Sequence, residues 1–373
     1  MSGARILYLD SYTNISGDSN ASDEIGYGIT ASEAIKEHLR LLGHTVYDLS
    51  MFQIAATSKL EWIDASYGLL RALPLEDFNI VFVFHSFHQF PAEIRRILLD
   101  RGYRDIKIVG YTHGSHWDPT DTFRQINYPG MNMVDLANLL SMDCVFVVSR
   151  HFRDSLLSNV RAFNSSAASD LAHRLVVTGL PINNKLIDQY HTNTHADPLQ
   201  IVFNHSPTGG KDPEAFFRVM ESVLPRHDVR LVVTRRFEPG DPGGQKLEQL
   251  YESFGDQVVL GSTMSLSEYY MTLWNSQIQV STASHESLGI ATLEAMYTLN
   301  CCLLPNRQSY PEIAGPEYLY NTERELLSML SHYIQDKDRR HQVARLMHEK
   351  SLRYLAAEVV GRISRAMEAT LLL

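Results

Sequence analysis

The sequence predicts an α/β protein built as two Rossmann-like domains whose parallel sheets face a central cleft. Three observations carry that expectation. At 373 residues the chain is too long for one ordinary hydrophobic core. Short apolar runs alternate with amphipathic helical patterns, the signature of parallel sheets covered by helices on both faces. The alternation pauses in a polar stretch near residues 180–200 and then starts again.

In chain order, RILYLD (5–10) reads as a first buried strand. ITASEAIKEHLRLLGH (29–44) reads as a helix whose apolar positions recur every three or four residues, closed by Gly43. TVYDLS, NIVFVFHS, KIVGYTH and CVFVVS supply further strands, with FPAEIRRILLDRGY and MNMVDLANLLS as helices between them. The stretch LPINNKLIDQYHTNTHADP (180–198) is polar, carries two prolines and suits a linker. The second series runs LQIVFNH, a helix at DPEAFFRVMESVL, RLVVTRR, a helix at QKLEQLYESF, QVVLG, a helix at LSEYYMTLW, IQVST and a helix at IATLEAM. The expected domains are 1–185 and 198–350, with a C-terminal helix in 351–373 packing back on the first.

Composition removes several classes. The chain is 44% apolar and 20% charged, an ordinary globular balance. No apolar run approaches the roughly 18 residues of a membrane span. The N-terminal MSGARILYLDSY lacks a signal peptide's basic region and cleavage site, so a cytoplasmic location is expected. Three cysteines, two of them adjacent (Cys301 and Cys302), make no disulfide framework and suit a reducing compartment. A net charge of −10 argues against a surface that binds nucleic acid throughout but leaves room for a local basic cleft. There is no G-x-G-x-x-G fingerprint, no Walker loop and no G-x-S-x-G elbow, which removes NAD enzymes, kinases of that type and hydrolases.

The informative stretch is STASHESLGIATLEAM (281–296), in which Glu286 and Glu294 flank Gly289. It leaves a strand and enters a helix, and in α/β sheets ligands bind where strand ends lead into helices. Gly289 permits close backbone approach, and the new helix offers unpaired N–H groups to an anion. Two carboxylates spaced along an elongated polyhydroxy ligand suit sugar hydroxyls. Spacing alone leaves a second reading open, that both are solvated helix-flanking glutamates.

The Glu-seven-residues-Glu pattern with Gly289, followed by PNRQSYPEI (305–313), resembles glycosyltransferase family 4, the retaining enzymes of GT-B fold. FNHSPTGGKDPEAFF (203–217) and LLPNRQSYPEIAGPEYLY (303–320) extend the likeness to the tRNA-queuosine mannosyltransferase-like branch. YTH (111–113), NMVDLANLLSMDCVFVVS and RHFRDSLL (150–157) match more weakly, and residues 1–80 do not.

Residue by residue, the resemblance implies that Glu286 holds the transferring sugar and Glu294 the nucleoside ribose. Lys211 matches the family's phosphate-binding lysine, but the arginine five residues before it is Ser206 here. A departing diphosphate needs positive charge. Backbone amides at Gly209 and Gly210 are candidates for part of that role, and Arg235 or Arg236 for the missing cation; solvated strand-end arginines are the alternative. His285, Ser287, Leu288 and Gly289 complete the donor loop. His113 resembles the family histidine near the sugar's reactive carbon, although a strand-end histidine satisfied by backbone groups remains open. Gly17, in the loop DSYTNISGDSNASDEIGYG (10–28), is expected near the donor.

His85, His88 and His116 cluster with His113 in the sequence, and the spacings invite a zinc reading. The GT-B resemblance implies no protein-bound metal, which assigns those three to the acceptor side. No resident cofactor is expected, only a nucleoside-diphosphate sugar, UDP- or GDP-linked, as donor substrate. The expected function is retaining hexosyl transfer to a hydroxyl acceptor. The branch points to a modified nucleoside in nucleic acid, queuosine in tRNA or a hydroxymethylpyrimidine in DNA. The basic clusters AEIRRILLDRGYRD (92–105) and RHFRDSLLSNVR (150–161) favour it unless they are solvated helix faces. A lipid or surface-glycan transferase and a non-catalytic nucleotide-sugar-binding module are the alternatives.

Overall fold

The computed structural model describes residues 3–10, 27–49, 59–121, 130–192, 196–261 and 264–373. The chain divides into two units, Met1–Pro181 with Ala356–Leu373, and Ile182–Leu355. The expected boundaries lay at 185/198 and 350/351. Of the stretch expected as a linker, residues 182–192 lie in the second unit. They form a short helix, Asn184–Asp188, whose Ile187 carbonyl accepts from Trp274 Nε1 at 3.0 Å.

The first unit holds a six-stranded sheet: β1 (Arg5–Leu9), β2 (Thr45–Asp48), β3 (Ile80–Val83), β4 (Lys107–Thr112), β5 (Cys144–Val147) and β6 (Leu175–Val177). Its spatial order is β2-β1-β3-β4-β5-β6 and every neighbouring pair is parallel. Parallel sheets must be covered on both faces, and the strand sequences obey that rule. β3 reads IVFV with all four side chains fully buried. Gly110 sits where β4 passes β3: a Cβ there would lie 1.8 Å from the Val83 carbonyl oxygen, so the pairing requires glycine. The helix Ala356–Leu371 closes this unit. Its Ser364 Oγ lies 2.7 Å from His44 Nε2, and Arg362 Nε donates to the Thr178 carbonyl at 2.9 Å.

The second unit repeats the plan with β7 (Leu199–Phe203), β8 (Val229–Val233), β9 (Val258–Leu260), β10 (Ile278–Val280), β11 (Cys301–Pro305) and β12 (Leu319–Tyr320). The order is β12-β11-β10-β7-β8-β9, again parallel throughout. The chain starts in the middle at β7, builds outward to β9, and returns to lay β10 on the other side of β7. Strand order therefore reverses between β7 and β10, the position in an open α/β sheet outside whose strand carboxyl ends ligands bind. Phe203 at the end of β7 stacks on Phe216 at 4.4 Å, which fixes the helix Pro213–Val223 beneath the β7 loop. Burying each such ring is worth about 1.5–3 kcal/mol, ample to hold the loop between strand and helix.

Candidate functional site

The two loops at that reversal, 204–212 after β7 and 281–289 after β10, are bonded to each other. Ser284 N and His285 N donate to the Gly210 carbonyl at 2.9 and 3.0 Å. Thr282 Oγ1 donates to the carbonyls of Lys211 (3.1 Å) and Asp212 (2.8 Å). A 3-10 turn at Gly209–Lys211 ends at Asp212, whose φ of 45° is left-handed and whose side chain caps the next helix at Ala215 N. This geometry turns Lys211 back over the β10 loop.

There Lys211 Nζ meets Glu286 Oε2 at 2.6 Å and the His285 carbonyl at 3.3 Å. The pair is largely enclosed, with side chains 19% and 11% exposed. Burial opposes ionisation of Glu286, but the charge of Lys211 outweighs it, and the carboxyl is held below its ordinary range. His205, on the β7 loop, is buried and its pKa falls to about 3, through burial and then repulsion from Lys211. It is therefore neutral, with Nε2 3.1 Å from Gln279 Nε2. Tyr310 OH lies 3.5 Å from Glu286 Oε2.

Gly289 begins the helix Ile290–Tyr297 with φ +93°. A Cβ there would meet Glu286 Cγ and Tyr310 Cε1 at 3.4 Å, and the backbone angle alone already favours glycine. In the helix's second turn Glu294 is buried and, among the described residues, has no cation at hydrogen-bond distance. Tyr269 OH donates to its Oε2 at 2.7 Å and Tyr270 OH to its Oε1 at 3.1 Å. Burial raises its pKa to about 6, with the two tyrosines and Arg235 pulling the other way. Arg235 lies 5.8 Å over the Tyr269 ring.

The structure thus joins Lys211, Gly210, His285, Glu286 and Gly289 in one cluster, with Glu294 and Arg235 in a second. Leu288 is buried and its carbonyl accepts from Ser309 Oγ at 3.0 Å, a scaffolding contact. Ser206 and Gly209 flank the Lys211 turn, Ser206 Oγ being 3.2 Å from Thr208 Oγ1. Ser287 is half-buried in the loop. Arg236 is exposed and paired with Glu238 at 2.6 Å. Sequence reasoning missed Tyr269 and Tyr270, Tyr310, and Arg307, whose Nη2 donates to the Thr282 carbonyl at 3.1 Å. Tyr310 and Arg307 lie inside PNRQSYPEI, where their presence was legible but their role was not.

In the first unit, His113 follows β4 and His85 follows β3, their rings 5.0 Å apart. His113 Nε2 lies 2.8 Å from the Phe84 carbonyl, which assigns the proton to Nε2 and leaves Nδ1 as an acceptor. Burial lowers its pKa to about 4, against the Phe84 bond, so the ring is neutral. His116 packs at 4.8 Å on Phe87, and its backbone N–H donates to Asp135 at 3.0 Å. The side chain of His88, and Gly17, lie outside the described residues. Among the described residues no group of three or more His, Cys, Asp or Glu side chains could hold a metal ion.

The basic cluster 92–105 is largely occupied. Arg95 pairs with Asp143, Arg96 with Glu93 and Asp100, and Arg101 donates to the Leu70 and Leu73 carbonyls. In the other cluster Arg153 pairs with Asp154. Arg95 and Arg101 bond within the unit, whereas the Arg96 and Arg153 pairs face solvent. Among the described residues, no helix is long and apolar enough to cross a membrane.

Comparison with known proteins follows the same lines. No family model matches the chain. It is 36% identical over 135 residues to the tRNA-queuosine alpha-mannosyltransferase of Drosophila melanogaster, a match covering 36% of this chain and 36% of that protein. The matched part is therefore about a third of the relative's length. Among solved structures, sucrose-phosphate synthase from Thermosynechococcus elongatus superposes with TM-score 0.68 at 15% identity, over 98% of this chain and 99% of that one. The catalytic domain of starch synthase IV from Arabidopsis thaliana, bound to ADP and acarbose, gives 0.71 at 10% identity over 100% of both chains. An E. coli trehalose-6-phosphate structure bound with UDP-2-fluoro glucose gives 0.71 at 12% identity, over 99% of each. Identities this low establish the fold, and the fold is GT-B: two parallel six-stranded sheets, each wrapped by helices.

Proposed function

We propose that this chain is a retaining glycosyltransferase that moves a hexose from a nucleoside-diphosphate sugar to a hydroxyl acceptor, with a modified nucleoside in nucleic acid as the acceptor. The single observation that carries the reading is the Lys211–Glu286 pair at the β7/β10 reversal, with Glu294 eight residues further on. A cation and a carboxylate share one largely enclosed site beside a helix N-terminus. A diphosphate takes the cation and the N–H groups, while a sugar hydroxyl takes the carboxylate.

In the proposed reaction the bond between the anomeric carbon and the diphosphate oxygen breaks. The acceptor oxygen bonds to the same face of that carbon, and its proton passes to the departing phosphate oxygen. Lys211 and the N–H groups of the helix Ile290–Tyr297 stabilise the charge that develops on the diphosphate. Glu286 orients the sugar and Glu294 receives the ribose diol. The acceptor assignment draws on the 36% likeness to a tRNA mannosyltransferase.

Ser206, standing where the resemblance expects a phosphate-binding arginine, favours a second reading, a nucleotide-sugar-binding module without transfer activity. The test is to incubate the protein with UDP- and GDP-hexoses and each of tRNA, hydroxymethylated DNA and lipid acceptors, and to follow hexose addition by mass. Addition to tRNA or DNA is expected. Addition to lipid alone would overturn the acceptor assignment. Donor binding with no transfer to any acceptor would favour the binding module.

A further inference from the structure

A chain of hydrogen bonds runs beneath Glu294 from the sheet. Gln279 is fully buried on β10, and its Nε2 lies 3.3 Å from Asn204 Oδ1. Asn204 Nδ2 donates to Tyr269 OH at 3.2 Å and to the Ala291 carbonyl at 2.8 Å. Because Asn204 Nδ2 can only donate, the Tyr269 oxygen accepts there, and its proton is committed to Glu294 Oε2. Tyr270, the next residue on the helix Leu266–Asn275, supplies a second proton to Oε1. Each carboxylate oxygen thus accepts one hydroxyl proton, and among the described residues no other side chain donates to it.

We propose that Tyr269 and Tyr270 are positioning residues for the donor's nucleoside, which hold the Glu294 carboxylate with one hydroxyl on each oxygen so that it receives the ribose diol in a fixed orientation. The inference rests on the donor-site reading of Glu294. The direction of each bond matters as much as its presence. A hydroxyl donating to a carboxylate favours the ionised form, so the tyrosines keep a fully buried acid charged. The other groups acting on Glu294 are few. Arg235 approaches from the end of β8. On the helix Lys337–Ser351, packed against the Glu294 helix, His348 Nδ1 turns to the Tyr297 carbonyl at 2.6 Å and Arg340 to the Tyr333 carbonyl at 2.6 Å. β11 contributes Cys301 and Cys302, both buried and both pushed up in pKa by burial.

The test measures UDP and GDP affinity by calorimetry from pH 5 to 8 for wild type, Tyr269→Phe, Tyr270→Phe and Glu294→Gln. The glutamine variant keeps the nucleotide's own phosphate titration and so serves as the baseline. Against it, wild type is expected to show an additional affinity gain with rising pH, and both phenylalanine variants to show that gain at higher pH. At neutral pH the affinity loss should be about tenfold for Tyr269→Phe and smaller for Tyr270→Phe, the scale of one hydrogen bond to a charged group. Phenylalanine keeps the buried rings, and a thermal melt verifies that each variant is folded. Folded variants whose affinity falls equally at every pH would reduce the tyrosines to packing groups and overturn the inference alone. If Glu294→Gln binds as wild type does, or wild type binds neither nucleotide, the donor-site reading falls and takes the inference with it.

Discussion

The two ends of residues 286–294 present the same side chain, buried to a similar degree, in opposite electrostatic states. At the loop end, burial works against Glu286 but Lys211 at 2.6 Å wins, and the carboxyl stays acidic. At the helix end, Glu294 meets two neutral hydroxyls and a more distant Arg235, burial wins, and its pKa rises to about 6. The lesson is about dielectric and distance. One unit charge in contact offsets the cost of enclosing a carboxylate, whereas two dipoles in contact offset only part of it. The loop end is built around a charge pair, which suits the place where a diphosphate departs. The helix end is built around hydroxyl geometry, which suits a ribose diol.

The sharpest way to break this contrast is to remove the cation. Lys211→Ala should reduce hexosyl transfer by about 100-fold or more, as losing one preorganised charge contact does. It should also destabilise the protein by about 3 kcal/mol in urea denaturation, because Glu286 is left enclosed and uncompensated. The double variant with Glu286→Gln should recover most of that stability while remaining inactive. No stability difference between the single and double variants would mean that the pair contributes nothing to the fold.

The second test is the sign of the pH dependence. The folded pKa of Glu294 lies above its ordinary 4.5, so between about 4.5 and 6 the folded state binds more protons than the unfolded one. The stability contributed by the protonated acid is present below that window and is lost as pH rises through it. Glu294→Gln cannot titrate, so its stability relative to wild type should increase by about 2 kcal/mol between pH 4.5 and 7. Glu286 must behave oppositely: its contribution is present above its unfolded pKa and is lost as pH falls through the depressed folded value. Urea midpoints at three pH values measure both. A difference for Glu294→Gln that is flat or falls with pH would erase the contrast.

The third asks whether the charge pair serves the sugar. Glu286→Gln should cut transfer at least tenfold, about 1.4 kcal/mol of barrier, while nucleoside-diphosphate affinity changes little. Equal losses in both would move Glu286 from the sugar to the nucleotide.

How far these contacts were legible in the sequence depended on their range. The alternation of apolar runs and amphipathic helices announced the α/β class, because a buried parallel strand such as IVFV and its flanking helices are local patterns. The loops carrying Lys211 and Glu286 were legible for the same reason. β12 is two residues long, and β11 opens on two cysteines, so neither offered a periodic signal. The helix Lys337–Ser351 carries seven charged side chains among fifteen residues, and its buried side is a stripe that itself includes Arg340. Pairings across the fold were out of reach. Lys211 and Glu286 are 75 residues apart, and Tyr269 lies 25 from Glu294. Tertiary folding alone brings them into contact.

The smallest effects separate Arg235 from Arg236, the two cations considered as replacements for the arginine that Ser206 lacks. Adjacent in sequence, they leave β8 in different environments. Arg235 is half-buried over the Tyr269 ring and acts on Glu294, so it belongs to the cation-poor end of the comparison. Arg236 is exposed and pairs with Glu238 in solvent. Arg235→Ala should weaken UDP or GDP binding by about 1 kcal/mol, the scale of a partly desolvated cation over an aromatic ring. Arg236→Ala should change binding by less than about 0.5 kcal/mol, as removal of an exposed ion pair usually does. Transfer assays on both variants read the same difference. If Arg236→Ala instead lost activity on the scale of Lys211→Ala, its pair with Glu238 would have to open when donor binds. The charge missing at Ser206 would then come from Arg236, and the loop end would carry two cations rather than one.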